Sequence, residues 1–216
     1  GREEQSGFPI FRVHLSLLCL DHTRLTSCST LAPHNCFVFA VIMEGYDYEA
    51  AASTIRVEDI TPNSSNQRIL RRLKENDPNF KELIVTTTTN LLCDHYCPET
   101  AHDLLWLGYF IGRNAYLREL DLFCLLTEGF NDAIDLFCRG VNNNRSIQTI
   151  SFGRLDLSGG KFFQLLGPFF ESNRNVSEVR VYQCTFGAGC ARQVSLALRG
   201  CNRSLKSVAL TNNQMG

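Results

Sequence analysis

NRSIQTI at residues 144–150, NRNVSEV at 173–179 and NRSLKSV at 202–208 are three near copies of one seven-residue phrase, each starting 29 residues after the last. In every copy an apolar residue stands three positions after the Asn, with further apolar residues three and five positions beyond it. The sets are Ile147, Ile150 and Phe152; Val176, Val179 and Val181; and Leu205, Val208 and Leu210. Two apolar residues separated by one position predict a short strand with one buried face. The same spacing reaches back to Leu117, Leu120, Leu122 and to Phe80, Leu83, Val85, with Ile55 and Val57 as a degenerate earlier copy. Successive first positions are 37, 30, 29 and 29 residues apart, so an insertion is expected at about 86–112.

The last two copies continue to Cys184 and Phe186 and to Asn213 and Met215. They read V-x-x-V-x-V-x-x-C-x-F and L-x-x-V-x-L-x-x-N-x-M. This pattern resembles the leucine-rich-repeat signature, and at 29 residues it is similar to the ribonuclease-inhibitor-like (RNI-like) subclass. The resemblance spans about Ile55 to Gly216. It departs from the pattern at Leu125 and Leu155, which stand where the family has Asn or Cys. What it implies is an α/β fold: a right-handed leucine-rich-repeat solenoid of about 4–6 repeats, with a curved parallel sheet inside, helices outside and an incomplete C-terminal end. The repeat domain is placed at 46–216. Residues 1–45 show no period and are expected to be poorly ordered or loosely packed.

Between the strands the pattern changes to a helical one. ARQVSLALRG (191–200) puts Val194, Ala197 and Leu198 on one face and ends at Gly200. NDAIDLFCRG (131–140) starts at a capping Asn131 and ends at Gly140, and FFQLLGPFF (162–170) is interrupted by Pro168. Within the insertion, Pro98 opens and Gly112 closes a helix with Ala101, Leu104, Leu105, Gly108 and Ile111 on one face. Upstream, Ser64 and Gln67 form a capping box. The repeated Asn falls just past each helix end, where Asn tolerates the left-handed backbone second only to Gly. Asn144 and Asn202 also fit the N-x-S glycan acceptor pattern, a rival reading that the repeat makes unnecessary.

Composition narrows the function. With 21 basic and 22 acidic residues the chain lacks the cationic surplus that nucleic-acid binding needs. Its longest apolar run, Cys36–Met43, is too short to span a bilayer. Phe8–Leu20 contains Arg12 and His14 and lacks the order of a secretory signal. The chain lacks an initiator Met and stops in Asn-Gln-Met-Gly, so it reads as a fragment. Ten scattered cysteines fit free, mostly buried thiols and a cytoplasmic protein. Cys93, His95, Cys97 and His102 are the metal-like cluster, but their spacing is tighter than the usual zinc pairs. No P-loop, dinucleotide fingerprint or nucleophile elbow is present, and Ser158-Gly159-Gly160-Lys161 is only half of a P-loop. The reading is therefore non-enzymatic, with no cofactor.

Strand alternation assigns the residues opposite the buried pairs to a concave face. These include Glu82, Ile84 and Thr86; Glu119, Asp121 and Phe123; Thr149, Ser151 and Gly153; Glu178, Arg180 and Tyr182; and Ser207, Ala209 and Thr211. Aromatic and Arg side chains anchor protein interfaces, so Glu82, Glu119, Asp121, Phe123, Ser151, Glu178, Arg180, Tyr182 and Thr211 are the candidate partner-binding residues. For Phe123 an equal reading is packing on a neighbouring strand residue. The expected partner is a protein or peptide, with a basic one favoured by the excess of acids, and the apolar C-terminal end is a site for self-association. Family resemblance adds two alternatives, a regulator of an enzyme (ribonuclease-inhibitor-like or GTPase-activator-like) and the substrate-receptor arm of a ubiquitin ligase.

Overall fold

Among the described residues three short helices precede the sheet: α1 (Tyr48–Ala52), α2 (Val57–Ile60) and α3 (Ser64–Lys74). The structure is a computed structural model that describes residues 48–88, 94–125, 131–200 and 204–215. All of them belong to one unit of the chain, Leu31–Gly216. The aperiodic segment 1–45 lies outside the described residues. The early strand expected at Ile55 and Val57 is not formed, because Val57 starts α2 and is buried there with Ile60. Asn63, not Ser64, caps α3: its Oδ1 accepts from Ser65 N and Asn66 N at 3.0 and 3.1 Å. Gln67 donates instead to the Thr61 carbonyl at 2.9 Å.

Strand and helix then alternate: β1 (Glu82–Val85), α4 (Ala101–Arg113), β2 (Glu119–Phe123), α5 (Asn131–Val141), β3 (Thr149–Gly153), α6 (Lys161–Leu165), α7 (Gly167–Ser172), β4 (Glu178–Tyr182), β5 (Thr185–Phe186), α8 (Ala188–Gly200), β6 (Ser207–Thr211) and β7 (Gln214–Met215). Pro168 sits in the first turn of α7, so the apolar stretch 162–170 becomes two short helices. The strands β1-β2-β3-β4-β6 form a five-stranded sheet in that order, every pair parallel. A second sheet pairs β5 with β7. The fold is α/β, with a parallel sheet and helices packed on one of its faces.

Two apolar rows cross the large sheet in register. Leu83, Leu120, Ile150, Val179 and Val208 form one; Val85, Leu122, Phe152, Val181 and Leu210 form the other. On β1 to β4 these side chains are at most 3% exposed, and they meet the helices in one core. Phe152, for instance, lies 4.9 Å from Phe163 of α6, ring centroid to ring centroid. On β6 the rows end at Val208 and Leu210, 41% and 48% exposed, since nothing among the described residues covers them.

The repeated Asn is not in the left-handed region. Asn114 and Asn173 have extended backbones (φ -74 and -83). Their work is done by the buried amide. Asn144 Nδ2 donates to the carbonyls of Ile111 and Asn114 at 2.7 and 2.9 Å, while its Oδ1 accepts from Ser146 N and Ile147 N at 2.8 and 2.9 Å. Asn173 donates to Asn144 O and Ile147 O, and Asn114 donates to Leu73 O, each at 3.3 Å. Each amide thus ties the start of its own strand to the turn before it, in a ladder of buried hydrogen bonds. A fully buried amide with every group engaged is not a glycan acceptor, so the N-x-S reading fails at Asn144. Asn202 lies outside the described residues.

The left-handed backbone occurs at the other end of β2, β3, β4 and β6, at Cys124, Arg154, Gln183 and Asn212 (φ 46–55), and just past α3 at Asn76 (φ 56). Each of the first three donates its N–H to the last carbonyl of the next strand, at 2.8–3.0 Å. The same turn forms whether the family position that follows is Leu125 or Leu155, or Cys184 or Asn213. Where Cys184 and Asn213 stand, they add side-chain bonds. Asn213 Oδ1 accepts from Cys184 N at 2.9 Å, and Cys184 Sγ donates to Phe152 O at 3.3 Å.

The insertion closes the outer edge of β1. Lys81 O faces β2, accepting from Glu119 N at 2.9 Å, whereas Ile84 O and Thr86 N face the other way and pair with Tyr96 N and O at 2.8 and 2.9 Å. Helix α4 begins at the Thr100–Asp103 capping box, not at Pro98. Gly112 and Gly140 lie inside helices α4 and α5 and do not end them. They serve close packing: a Cβ on Gly140 would sit 2.3 Å from the Gly108 carbonyl carbon, and one on Gly112 would sit 2.3 Å from Gly140 O.

Replacing Asn144 by Ala strands the N–H groups of Ser146 and Ile147 in the interior and takes one donor each from the carbonyls of Ile111 and Asn114, which keep Asn114 N and Ser146 Oγ, so Asn144→Ala is expected to lower unfolding free energy by at least about 2 kcal/mol. Asn175→Ala, which loses one exposed bond to Arg145 O, is expected to change it by less than about 0.5 kcal/mol. Urea denaturation of the two variants beside the parent checks the difference, and equal effects would refute the ladder's role.

Candidate functional site, the open face of the sheet

The residues that alternate with the buried rows lie on the face away from the helices. In register they form three rows: Glu82, Glu119, Thr149, Glu178 and Ser207; Ile84, Asp121, Ser151, Arg180 and Ala209; and Phe123, Gly153, Tyr182 and Thr211. All nine candidate partner-binding residues are therefore brought to one surface. Thr86 is not: β1 stops at Val85 and Thr86 is buried, its Oγ1 accepting from Thr88 N.

Much of this surface is bonded to itself. Arg180 grips Glu178 on its own strand through two hydrogen bonds (Nε–Oε1 2.9 Å, Nη2–Oε2 2.8 Å) and reaches Glu119 of β2 at 3.7 Å. The hydrogen bonds to Glu178 raise the guanidinium's pKa, and Arg180 holds the Glu178 carboxyl below its ordinary value. Tyr182 lies across β3 and donates its hydroxyl to Asp121 Oδ2 at 2.9 Å, two strands away. Its ring stacks on Phe123 with centroids 6.2 Å apart, and Arg154 sits 5.3 Å over the other partner of that stack. Phe123 thus packs on Tyr182 from two strands away, across Gly153.

This strap fixes two further residues. Gly153 must lack a side chain, because a Cβ there would meet Tyr182 Cζ at 2.3 Å. Ser151 and Thr149 are only 5% and 7% exposed, so Ser151 is part of the floor of the face. Burial raises the Asp121 pKa, with the Tyr182 hydrogen bond and Arg180 opposing it. Its Oδ1 is enclosed and takes no hydrogen bond. Burial likewise pushes the Tyr182 hydroxyl well above its ordinary value, and Asp121 adds to the shift. Sequence alternation puts these side chains on the face, but contacts between residues 61 positions apart leave no local signal.

The metal-like cluster does not assemble among the described residues. His102 Nε2 accepts from Trp106 Nε1 at 3.0 Å, and burial lowers its pKa. Burial raises the pKa of the Cys97 thiol. His95 precedes the Tyr96 pairing, and Cys93 lies outside the described residues. No group of three His, Cys, Asp or Glu among the described residues is placed to hold a metal ion. Asn66 holds this loop to α3 by a two-way clamp on Cys97, donating to its carbonyl at 2.7 Å and accepting from its N–H at 3.0 Å. No helix of the described residues is long and apolar enough to cross a membrane.

No family model matches the chain, and no curated protein matches it. Among solved structures the chain is similar to one described as leiomodin-1 actin-binding site 2, at 14% identity and a TM-score of 0.47, covering 68% of this chain and 80% of that one.

Because the folded Asp121 pKa lies above its unfolded value, the native state binds the extra proton, and its stability falls as pH rises through the folded pKa. Relative to Asp121→Asn, the parent protein is therefore expected to be most stable at acid pH and to lose that advantage across the carboxylate range. Denaturation of both proteins from acid to neutral pH tests this, and a difference that does not change with pH would contradict it.

Proposed function

We propose that the chain is a non-enzymatic protein-interaction module of the leucine-rich-repeat type, similar to the RNI-like subclass, in which the open face is the concave side of a curved array. The observation that supports this reading is the uncovered face itself. Five strands in unbroken register present aligned polar and aromatic side chains, and no helix among the described residues packs over them. The buried Asn ladder at the start of the strands and the Cys184–Asn213 hydrogen bond past their ends support this reading. A broad, shallow surface of rigidly held side chains suits a protein or peptide better than a small substrate.

The internal bonds support the same reading. Arg180, Tyr182 and Phe123 are held in place before any partner arrives, so docking loses little side-chain freedom. The test is affinity capture with the parent, with Phe123→Ala/Arg180→Ala on the open face, and with Arg192→Ala/Arg199→Ala on the exposed side of α8. Proteins retained by the parent and the helix variant but lost by the face variant are expected. Equal recovery by all three would exclude the open face as the binding surface.

A further inference from the structure

Charge is unevenly spread across the open face. On β4, Glu178 and Arg180 neutralise one another through two hydrogen bonds. The open-face residues of β3 and β6 are uncharged: Thr149, Ser151, Gly153, Ser207, Ala209 and Thr211. The remaining charge on the strand residues of the face is negative and lies on β1 and β2, as Glu82, Glu119 and Asp121, while Arg154, just past β3, sits over the Phe123 ring at 5.3 Å.

Two features of that half are unfavourable in the isolated protein. Glu82 and Glu119 are direct register partners on adjacent parallel strands, an arrangement that places like charges side by side and costs stability. Their cationic neighbour, Arg180, approaches only Glu119, at 3.7 Å, and already serves Glu178. The second feature is Asp121 Oδ1, enclosed and without a hydrogen bond in the next row. Basic residues at the strand entrances do not relieve either one. Lys81 lies over the Tyr116 ring at 4.9 Å, Arg118 donates to Ser146 O at 2.9 Å, and Arg72 is bound to Asp77 at 2.7 Å.

An apolar ledge adjoins this half. The Phe123–Tyr182 stack lies on the same face, four residues along β2 from Glu119. At the strand rise this is a separation of about 13 Å. We infer that the β1–β2 half of the open face receives a Lys or Arg side chain of a protein partner between Glu82 and Glu119, with an apolar side chain of the same partner on the Phe123–Tyr182 ledge. The inference rests on the interaction-module reading and adds the chemistry of the partner to it. The partner's cation adds positive charge beside Glu82 and beside Glu119, which Arg180 reaches only at 3.7 Å while bound to Glu178, and the ledge gives it a direction along the strands.

The probe is a library of random-sequence peptides displayed on phage and selected on the folded parent protein. Selected peptides are expected to be rich in Lys or Arg accompanied by an apolar residue. Made as free peptides, they should bind Glu82→Gln/Glu119→Gln about ten-fold more weakly than the parent. Binding to the control Glu75→Gln/Glu171→Gln should be unchanged, and added salt should weaken binding to the parent. Circular dichroism confirms that each variant is folded. Selected peptides without a basic excess, or basic peptides indifferent to Glu82 and Glu119, would overturn the inference. If such peptides still lose binding with Phe123→Ala/Arg180→Ala, the interaction-module reading survives. Peptides unaffected by either face variant would count against both.

Discussion

The buried amide of Asn144 is the constraint from which the rest of the sheet follows. A chain that leaves a helix and turns into a parallel strand carries polar backbone into the interior, where unmet N–H and C=O groups are costly. An amide side chain offers two donors and an acceptor with two lone pairs, so one Asn can satisfy the turn below it and the strand above it. Asn114, Asn144 and Asn173 do so in succession, each reaching into the preceding turn. The ladder therefore sets the distance between repeats and the register of the strands together. A slip by one residue would pull the amide from its carbonyls and turn Ile150 and Phe152 away from the helices.

That fixed register makes the open face a surface with defined neighbours. Tyr182 can reach Asp121 only because β2, β3 and β4 are aligned residue for residue, with Gly153 leaving space for the ring between them. The hydroxyl satisfies one oxygen of the half-buried carboxylate, and burial raises the pKa of both groups. Arg180 is fixed the same way, by one acid on its own strand and another two strands off. Side chains on an uncovered sheet face usually move freely, whereas these are cross-braced.

The strand pairs and their faces were legible in the sequence because alternation and a 29-residue period are both written in it. What the punctuating residues do was less legible. The repeated Asn was located correctly, but sequence offset does not report φ, and amide bonding and left-handed tolerance both favour Asn at that place. Gly112 and Gly140 carry the same ambiguity: a glycine near a helix end is a stop signal or a contact point, and only the packing of α4 on α5 decides. Asn63 and Ser64 are adjacent capping residues, and the one that caps is the one whose oxygen meets Ser65 and Asn66. The braces on the face were invisible for a different reason, since they join residues distant in the chain through a geometry that exists only after folding.

The long first step of 37 residues also finds its physical reason in the sheet. Among the described residues β1 is the first strand and no repeat pairs with its outer edge, and unpaired edge groups invite unwanted strand addition. The extra residues bring Tyr96 back to Ile84 O and Thr86 N on that edge, and they supply the capped helix α4 that covers the core behind it. The closure is made through backbone groups and from the side and rear, and leaves Glu82 and Ile84 on the front of the sheet. Closing that edge from the side and rear leaves Glu82 on the same open surface as Glu119 and Asp121, which the braces from Arg180 and Tyr182 reach from β4.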